Sequence, residues 1–193
     1  MGYHIGESIQ EFTENLTYIV GGAEEKYSYI PGARNIKIDT TEEMLDAILG
    51  ELEENSLLIM AAAPADYRPA NPKDRKIKKS EENSGLVLEL TENPDILKAV
   101  NDRKKSLGLK NFYALGFAAE TDSLELNAKK KLISKGLDWI AGNQVGRGIG
   151  FGEVDSELIL YGKDGSKKTI GPGSKEILAK QLVAEILDIL SHQ

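Results

Sequence analysis

LLIMAAAPADYRPANPKDRKIKK, residues 57–79, passes from an uninterrupted apolar run into alanines and then into a cluster of cations. A continuous apolar run such as Leu57 to Met60 marks a strand covered on both faces, which is the habit of parallel sheets flanked by helices. The small side chains Ala61 to Ala63 at its end let a ligand lie against backbone. Between Asp66 and Lys79, Arg68, Lys73, Arg75, Lys76, Lys78 and Lys79 face only Asp66 and Asp74. Flexible lysines of this kind can hold an anion. A solvated, solubilising loop explains the same charges, and the stretch alone leaves both readings open.

Upstream, Asn35 to Ile38 reads as a strand, and Thr40 and Thr41 cap a helix carrying Met44, Leu45, Ile48 and Leu49 at helical spacing to about Glu54. Before these, Gly2 to Glu14 reads as a helix with Ile5, Ile9 and Phe12 on one face, and Leu16 to Val20 as a strand ending at Gly21-Gly22. Downstream, Leu86 to Leu90 alternates as a strand. Asn93-Pro94-Asp95 opens a helix towards Lys104, with Asn as cap and Pro first inside. Phe112 to Leu115 is a strand ending at Gly116. Thr121, Asp122 and Ser123 offer caps for a helix over 124–135, and Asp138 to Ala141 is the next strand. Glu157 to Tyr161 and Lys167 to Ile170, joined through Lys163-Asp164-Gly165, form an antiparallel hairpin, and Ser174 caps a last amphipathic helix.

This alternation predicts an α/β fold: a Rossmann-like, doubly wound, mostly parallel sheet with an antiparallel hairpin at one edge, in a single domain over residues 1–193. Ligands in such folds bind beyond the carboxyl ends of the parallel strands. Here that rule selects residues 61–79, 116–121 and 142–152.

Composition narrows the chemistry. The chain has no cysteine, which excludes a thiol nucleophile, a disulfide and a thiolate metal site. Its two histidines, His4 and His192, lie at opposite ends and argue against a Ser-His-Asp triad or a histidine-rich zinc site. A net charge of −7 opposes nonspecific nucleic-acid binding. No apolar run approaches a membrane span, and the N-terminus lacks signal-peptide blocks, so a cytoplasmic protein with no membrane partner is expected.

Four features carry candidate chemistry. Gly146, Gly148, Gly150 and Gly152 precede a strand, whereas a dinucleotide fingerprint precedes a helix, so they read as a mobile loop or lid. Asn93 to Ile96 is a well-made helix start, or a site where free N–H groups meet an anion. Lys131 and Lys135 share a helical face near its C-terminal end, where the dipole also favours surface cations. Phe117, beside Ala118 and Ala119, is either core or an aromatic plate for a planar base.

Ala-Ala-Pro-Ala-Asp-Tyr-Arg-Pro (62–69), Lys-Ile-Lys-Lys (76–79), Asn-Pro-Asp-Ile (93–96), Gly-Phe-Ala-Ala-Glu-Thr (116–121) and Lys-Gly-Leu-Asp (135–138) together resemble the ordered motifs of bacterial phosphopantothenoylcysteine synthetase, the CTP-dependent phosphopantothenate–cysteine ligase. That domain is usually the C-terminal half of the bifunctional coenzyme A biosynthesis flavoprotein, beside an FMN-dependent decarboxylase. The resemblance implies that 4′-phosphopantothenate is activated by CTP as an acyl-cytidylate, with pyrophosphate released, and that L-cysteine then displaces CMP. It implies CTP contacts from Met60, Ala61, Ala62, Asp66, Lys76, Asn93, Pro94, Asp95, Ile96, Phe117, Lys131 and Lys135, with Lys76 as the catalytic lysine. It is compatible with Mg²⁺ oriented by Asp66 or Asp95, and it implies a homodimer.

The sequence departs from the family's pattern at its start. Met1-Gly2 resembles the end of the family's Asn-x-Ser-Ser-Gly-Lys-Met-Gly stretch, so the first strand and that asparagine are expected to be missing, as is FMN. Asn143-Gln144 stands where Asn-Asp is usual, and Pro64 where valine is common. A noncatalytic, nucleotide-binding remnant serving in assembly is the rival expectation. A nicotinamide dehydrogenase is disfavoured by the missing fingerprint.

Overall fold

The computed structural model describes residues 1–73, 75–78, 85–144 and 155–192. In chain order the elements are α1 (Gly2–Gln10), β1 (Thr17–Val20), a 3-10 turn (Glu25–Tyr27), β2 (Arg34–Lys37), α2 (Thr41–Gly50), β3 (Ser56–Met60), β4 (Tyr67–Pro69), β5 (Leu90–Glu92), α3 (Ile96–Leu107), β6 (Phe112–Glu120), α4 (Leu124–Lys135), β7 (Trp139–Gln144), β8 (Ser156–Gly162), β9 (Lys167–Gly173) and α5 (Lys175–Ser191). A five-stranded sheet runs β3-β6-β7-β8-β9. Its first three strands are parallel, and β8 and β9 add the expected antiparallel hairpin at the edge. The parallel pair β1-β2 stands apart from this sheet, and β4-β5 forms a short antiparallel arm.

Helices cover both faces, as a doubly wound sheet requires. Even-numbered residues of β3 turn to one side: Leu58 and Met60 pack with Met44 and Ile48 of α2, Ile96 and Val100 of α3, and Leu132 of α4. Odd-numbered Leu57 and Ile59 pack with Ile5 of α1 and Leu178, Leu182, Val183 and Ile186 of α5. That division follows from the two-residue period of a strand. Each fully buried α5 side chain contributes about 1.5–3 kcal/mol relative to exposure.

Several boundaries differ from the sequence expectation for identifiable reasons. Helix α1 stops at Gln10, short of Glu14, because the Thr13 hydroxyl accepts the Asn15 N–H in a local turn and Phe12 is left exposed. Helix α2 carries the Thr40 cap, completed as a box with Glu43, but stops at Gly50. Beyond it the Glu54 carboxylate accepts the N–H groups of Lys110 and Asn111, which turns the chain towards the bottom of β6. Strand β6 runs through Gly116 to Glu120. Gly116 does not end the strand; it makes room for Leu137, whose Cδ1 would lie 2.7 Å from an added Cβ. Ser123 precedes α4 without a side-chain capping bond. The expected strand over 86–90 survives only as Leu90–Glu92. The glycine-rich segment 146–152 lies outside the described residues.

One buried carboxylate fastens the parallel strands at their amino ends. Asp138 accepts the Ala114 N–H at 2.9 Å and forms ion pairs with Lys163 at 2.6 Å and Lys104 at 3.7 Å.

Candidate functional site

The register sets the shape of the carboxyl edge. Met60, the last residue of β3, pairs with Gly116, whereas β6 and β7 continue side by side to Glu120 and Gln144. Four residues of β6, Phe117 to Glu120, therefore extend past the end of β3 and leave a step above it. Met60 is buried beneath this step, Ala61 is half-buried and Ala62 exposed. Phe117 is half-buried and packs against the core on the α1 and α5 side. No bulky side chain projects from Ala61 to Ala63, so backbone is accessible there.

Beyond the step the chain forms an arm whose first strand falls in the stretch expected to be loop and whose second lies at the end of the expected strand over 86–90. Tyr67–Pro69 pairs antiparallel with Leu90–Glu92, and the Ala70 N–H donates to the Glu89 carbonyl. The basic segment from Lys73 to Lys78 extends from this stem, with Asp74 and Lys79 outside the described residues. Lys76 is exposed and, among the described residues, has no hydrogen-bond or ion-pair partner. Asp66, also exposed, lies at the root of the arm.

Asn93 locks that root. Its backbone N–H donates to the Asp66 carbonyl at 2.8 Å, and its side-chain amide donates to the Ala65 carbonyl at 2.8 Å. Its amide oxygen accepts from Arg68 at 3.1 Å. Arg68 also donates to the Glu92 carbonyl and pairs with Glu42 of α2 at 2.6 Å. Arg68 thus ties the arm to the body, a role unreadable before β4 and β5 are paired.

The start of α3 corrects the sequence expectation. The cap is Asp95, not Asn93; its carboxylate accepts the Lys98 N–H at 3.2 Å, and Pro94 lies before the helix. Ile96, the first helical residue, is buried. One of the N–H groups expected to meet an anion, that of Lys98, therefore already has a negative partner, and the Asp95 carboxylate complements the helix dipole in place. Asp95 also forms an ion pair with Lys135 of α4.

Helix α4 places its lysines by i, i+4 spacing. Lys131 pairs with Glu120 at 2.7 Å, and Asn127, one turn earlier, donates to the other Glu120 oxygen at 3.1 Å. The Lys131 ammonium holds the Glu120 carboxyl below its ordinary range, reinforced by Asn127. A continuous run of contacts thus links Ala65, Asp66, Asn93, Asp95 and Lys135, and α4 carries it on to Lys131 and Glu120. Glu120 is the member that sequence reasoning missed, although it lies inside the Gly-Phe-Ala-Ala-Glu-Thr motif.

Lys131 and Lys135 can receive a polyanion only by exchange, leaving their carboxylates or bridging them, whereas Lys76 is available without exchange. For magnesium the donors are sparse. No group of three or more metal-ligating side chains forms among the described residues, and Asp95 is engaged by Lys135 and its own helix. One exposed carboxylate, Asp66, fits an ion carried mainly by phosphate oxygens, which is how Mg²⁺ is commonly held.

The chain is similar to known proteins. A family model described as the DNA/pantothenate metabolism flavoprotein C-terminal domain matches residues 1–190. The coenzyme A biosynthesis bifunctional protein CoaBC of Vibrio vulnificus strain CMCP6 is 30% identical over 196 residues, covering 100% of this chain and 46% of the relative. The CoaBC protein of Bacillus subtilis strain 168 is 36% identical over 188 residues, covering 96% and 44%. The chain spans less than half the length of these curated relatives. Among solved structures, the C-terminal domain of a CoaBC protein superposes with a TM-score of 0.72 at 23% identity, over 99% of this chain and 82% of that domain. A DNA/pantothenate metabolism flavoprotein from Streptococcus pneumoniae gives 0.74 at 17% identity, over 98% and 86%. A Cab2 mutant in complex with phosphopantothenate-cysteine gives 0.62 at 16% identity, over 81% and 52%.

Proposed function

The chain belongs to the family of the DNA/pantothenate metabolism flavoprotein C-terminal domain, and from that premise we propose that it carries the CTP-dependent phosphopantothenate–cysteine ligase site of coenzyme A biosynthesis. The observation that carries this reading is the run of contacts from Asp66 through Asn93 and Asp95 to Lys135, with Lys131 beside it at the end of β6. It joins four of the five motifs around the edge of the parallel strands.

In this reading the cytidine lies on Ala61 and Ala62 beneath the overhang of β6, with Phe117 as the aromatic wall and Asp95 accepting from a neutral donor such as a ribose hydroxyl. A carboxylate capping α3 is a poor neighbour for phosphate, so the triphosphate lies towards Lys131, Lys135 and Lys76. The 4′-phosphopantothenate carboxylate attacks the α-phosphorus, the bond to the bridging oxygen breaks, and pyrophosphate leaves. Charge accumulates on the phosphoryl oxygens and the leaving group, where an ammonium stabilises the transition state more than the ground state. Asp66 would help hold a Mg²⁺ carried by the nucleotide, which would supply further neutralisation there. The amine of L-cysteine then attacks the acyl carbon and CMP departs. No histidine or cysteine side chain is needed. FMN belongs to the decarboxylase half of the longer proteins, outside this reading.

A homodimer is part of the proposal. Leu86, Val87 and Leu88 on the arm are 63%, 88% and 59% exposed, an apolar run suited to a second copy. The split of the parallel strands described above favours a narrower version in which this chain by itself binds nucleotide but turns over slowly or not at all.

Calorimetric titration with CTP and Mg²⁺, followed by pyrophosphate release with 4′-phosphopantothenate, tests the reading. Lys76→Ala is expected to cut pyrophosphate release about a hundredfold with the fold intact. Wild-type release by that variant, or no CTP binding by the folded chain, refutes the assignment. Binding without release selects the noncatalytic version.

A further inference from the structure

The Glu120 carboxylate is held from two sides. Glu120 is the last residue of β6, paired with Gln144 of β7 and lying beyond the end of β3. Successive strand side chains alternate between faces, so Glu120 shares a face with Ala118, which packs with Ala128 and Leu132 of α4. One carboxylate oxygen accepts from the Asn127 amide at 3.1 Å and the other from the Lys131 ammonium at 2.7 Å. Asn127 is itself fixed in the first turn of α4, where its backbone N–H donates to the Ser123 carbonyl and its amide also reaches the Asp122 carbonyl at 3.4 Å.

The two members of this ion pair differ in freedom. The Glu120 side chain is 17% exposed and rises from a paired strand, whereas Lys131 is 48% exposed on a flexible four-carbon stem. When the pair opens, the carboxylate keeps its strand and Asn127, so the ammonium is the part that moves. The pairs Lys129–Glu125 and Lys180–Glu176 lack this asymmetry, because both members of each are similarly exposed. So are both members of Asp95–Lys135, whose carboxylate is also committed to capping α3. Among the described residues Lys131 has no other ion-pair partner. It can therefore leave for a stronger anion without unseating anything else.

We propose that Glu120 is a positioning residue that competes with polyphosphate for the Lys131 ammonium, yielding it to a bound triphosphate and taking it back as pyrophosphate leaves. This rests on the ligase reading, which gives Lys131 to the triphosphate. The carboxylate acts through the lysine and touches no substrate. A triphosphate or pyrophosphate concentrates several negative charges and attracts an ammonium more strongly than a single carboxylate does. Lys131 must still be withdrawn from Glu120, so polyphosphate binds less tightly than it would to an unopposed lysine. The same competition favours departure of pyrophosphate once the α-phosphorus has been attacked. A site that met pyrophosphate with every lysine unopposed would release it slowly, because tighter binding is expressed chiefly in the dissociation rate.

Calorimetric titration of the folded chain with inorganic pyrophosphate tests the proposal. Glu120→Gln is expected to tighten binding about fivefold, the size of a partly exposed ion pair, and Lys131→Gln to weaken it. In the Lys131→Gln background, Glu120→Gln is expected to change affinity by less than about twofold, because the carboxylate acts only through that lysine. Glu120→Asp keeps the charge but draws it back from Lys131 by one methylene, so it too is expected to tighten binding, and it serves where the glutamine variant does not fold. Direct repulsion between Glu120 and the anion gives a different pattern, with equal tightening in both backgrounds and none with aspartate. That pattern overturns the proposal, as does unchanged affinity in Glu120→Gln. Either result from a chain that binds CTP overturns the role of Glu120 and leaves the ligase reading standing. A folded chain that binds neither CTP nor pyrophosphate overturns both.

Discussion

Replacing Asp138 by alanine removes the carboxylate that joins β6 to β7 and is expected to cost about 3 kcal/mol. The largest part comes from the Ala114 N–H, which is buried and donates to Asp138 at 2.9 Å; leaving such a donor unpaired costs about 1–3 kcal/mol. Lys104, with a side chain 21% exposed, loses its counter-ion, adding about 1 kcal/mol. Lys163, 62% exposed, is rehydrated and adds little despite its shorter distance. For a chain of this size each kcal/mol lowers Tm by about 2–4 °C, so Asp138→Ala is expected to melt about 6–12 °C below the parent. Asp138→Asn keeps an acceptor for the Ala114 N–H and loses only the ion pairs, so about 1 kcal/mol is expected. Urea denaturation followed by circular dichroism separates the cases, provided the slope of free energy against urea is unchanged. An alanine variant within about 1 kcal/mol of the parent refutes the reasoning, as does an asparagine variant equally damaged.

Asp95→Ala removes the α3 cap and frees Lys135; a stability loss of about 1 kcal/mol is expected, with weaker cytidine binding but unchanged or tighter pyrophosphate binding in calorimetry. Thr40→Ala breaks the capping box of α2 and is expected to cost about 1 kcal/mol in the same urea assay. Glu125, bonded by Lys129 and Lys167, has its carboxyl lowered to about 2. Its folded value lies below its unfolded one, so its stabilisation is present above the ordinary carboxylate pKa of 4.5 and is lost as pH falls towards 2. The gap in Tm between the parent and Glu125→Gln is accordingly expected to close over that interval, and a gap constant with pH contradicts the pairing.

The features of this chain that sequence alone makes legible are local. Thr40 three residues before Glu43, the four-residue apolar run before Ala61, and the hairpin turn at Asp164-Gly165 each encode their structure within a few positions. The five motifs, read in order, led to the family that the model over residues 1–190 supports. The same local reasoning misplaced the cap of α3 by two residues, because Asn93 and Asp95 are both good capping types. What separates them is that Asn93 is already engaged by Ala65, Asp66 and Arg68, more than twenty positions away.

Residues 57–79, together with the alternation of strands and helices, specified a covered parallel strand, an accessible edge and a concentration of positive charge. Tertiary structure decided which acid neutralises which lysine, that Arg68 belongs to an arm braced by Glu42, and that the parallel strands are parted between β1 and β3. The reason is one of range. Propensity, periodicity and capping act within a turn or a strand, whereas the meeting of Asp95 with Lys135 and the gap between two strand edges depend on register and packing over the whole sheet.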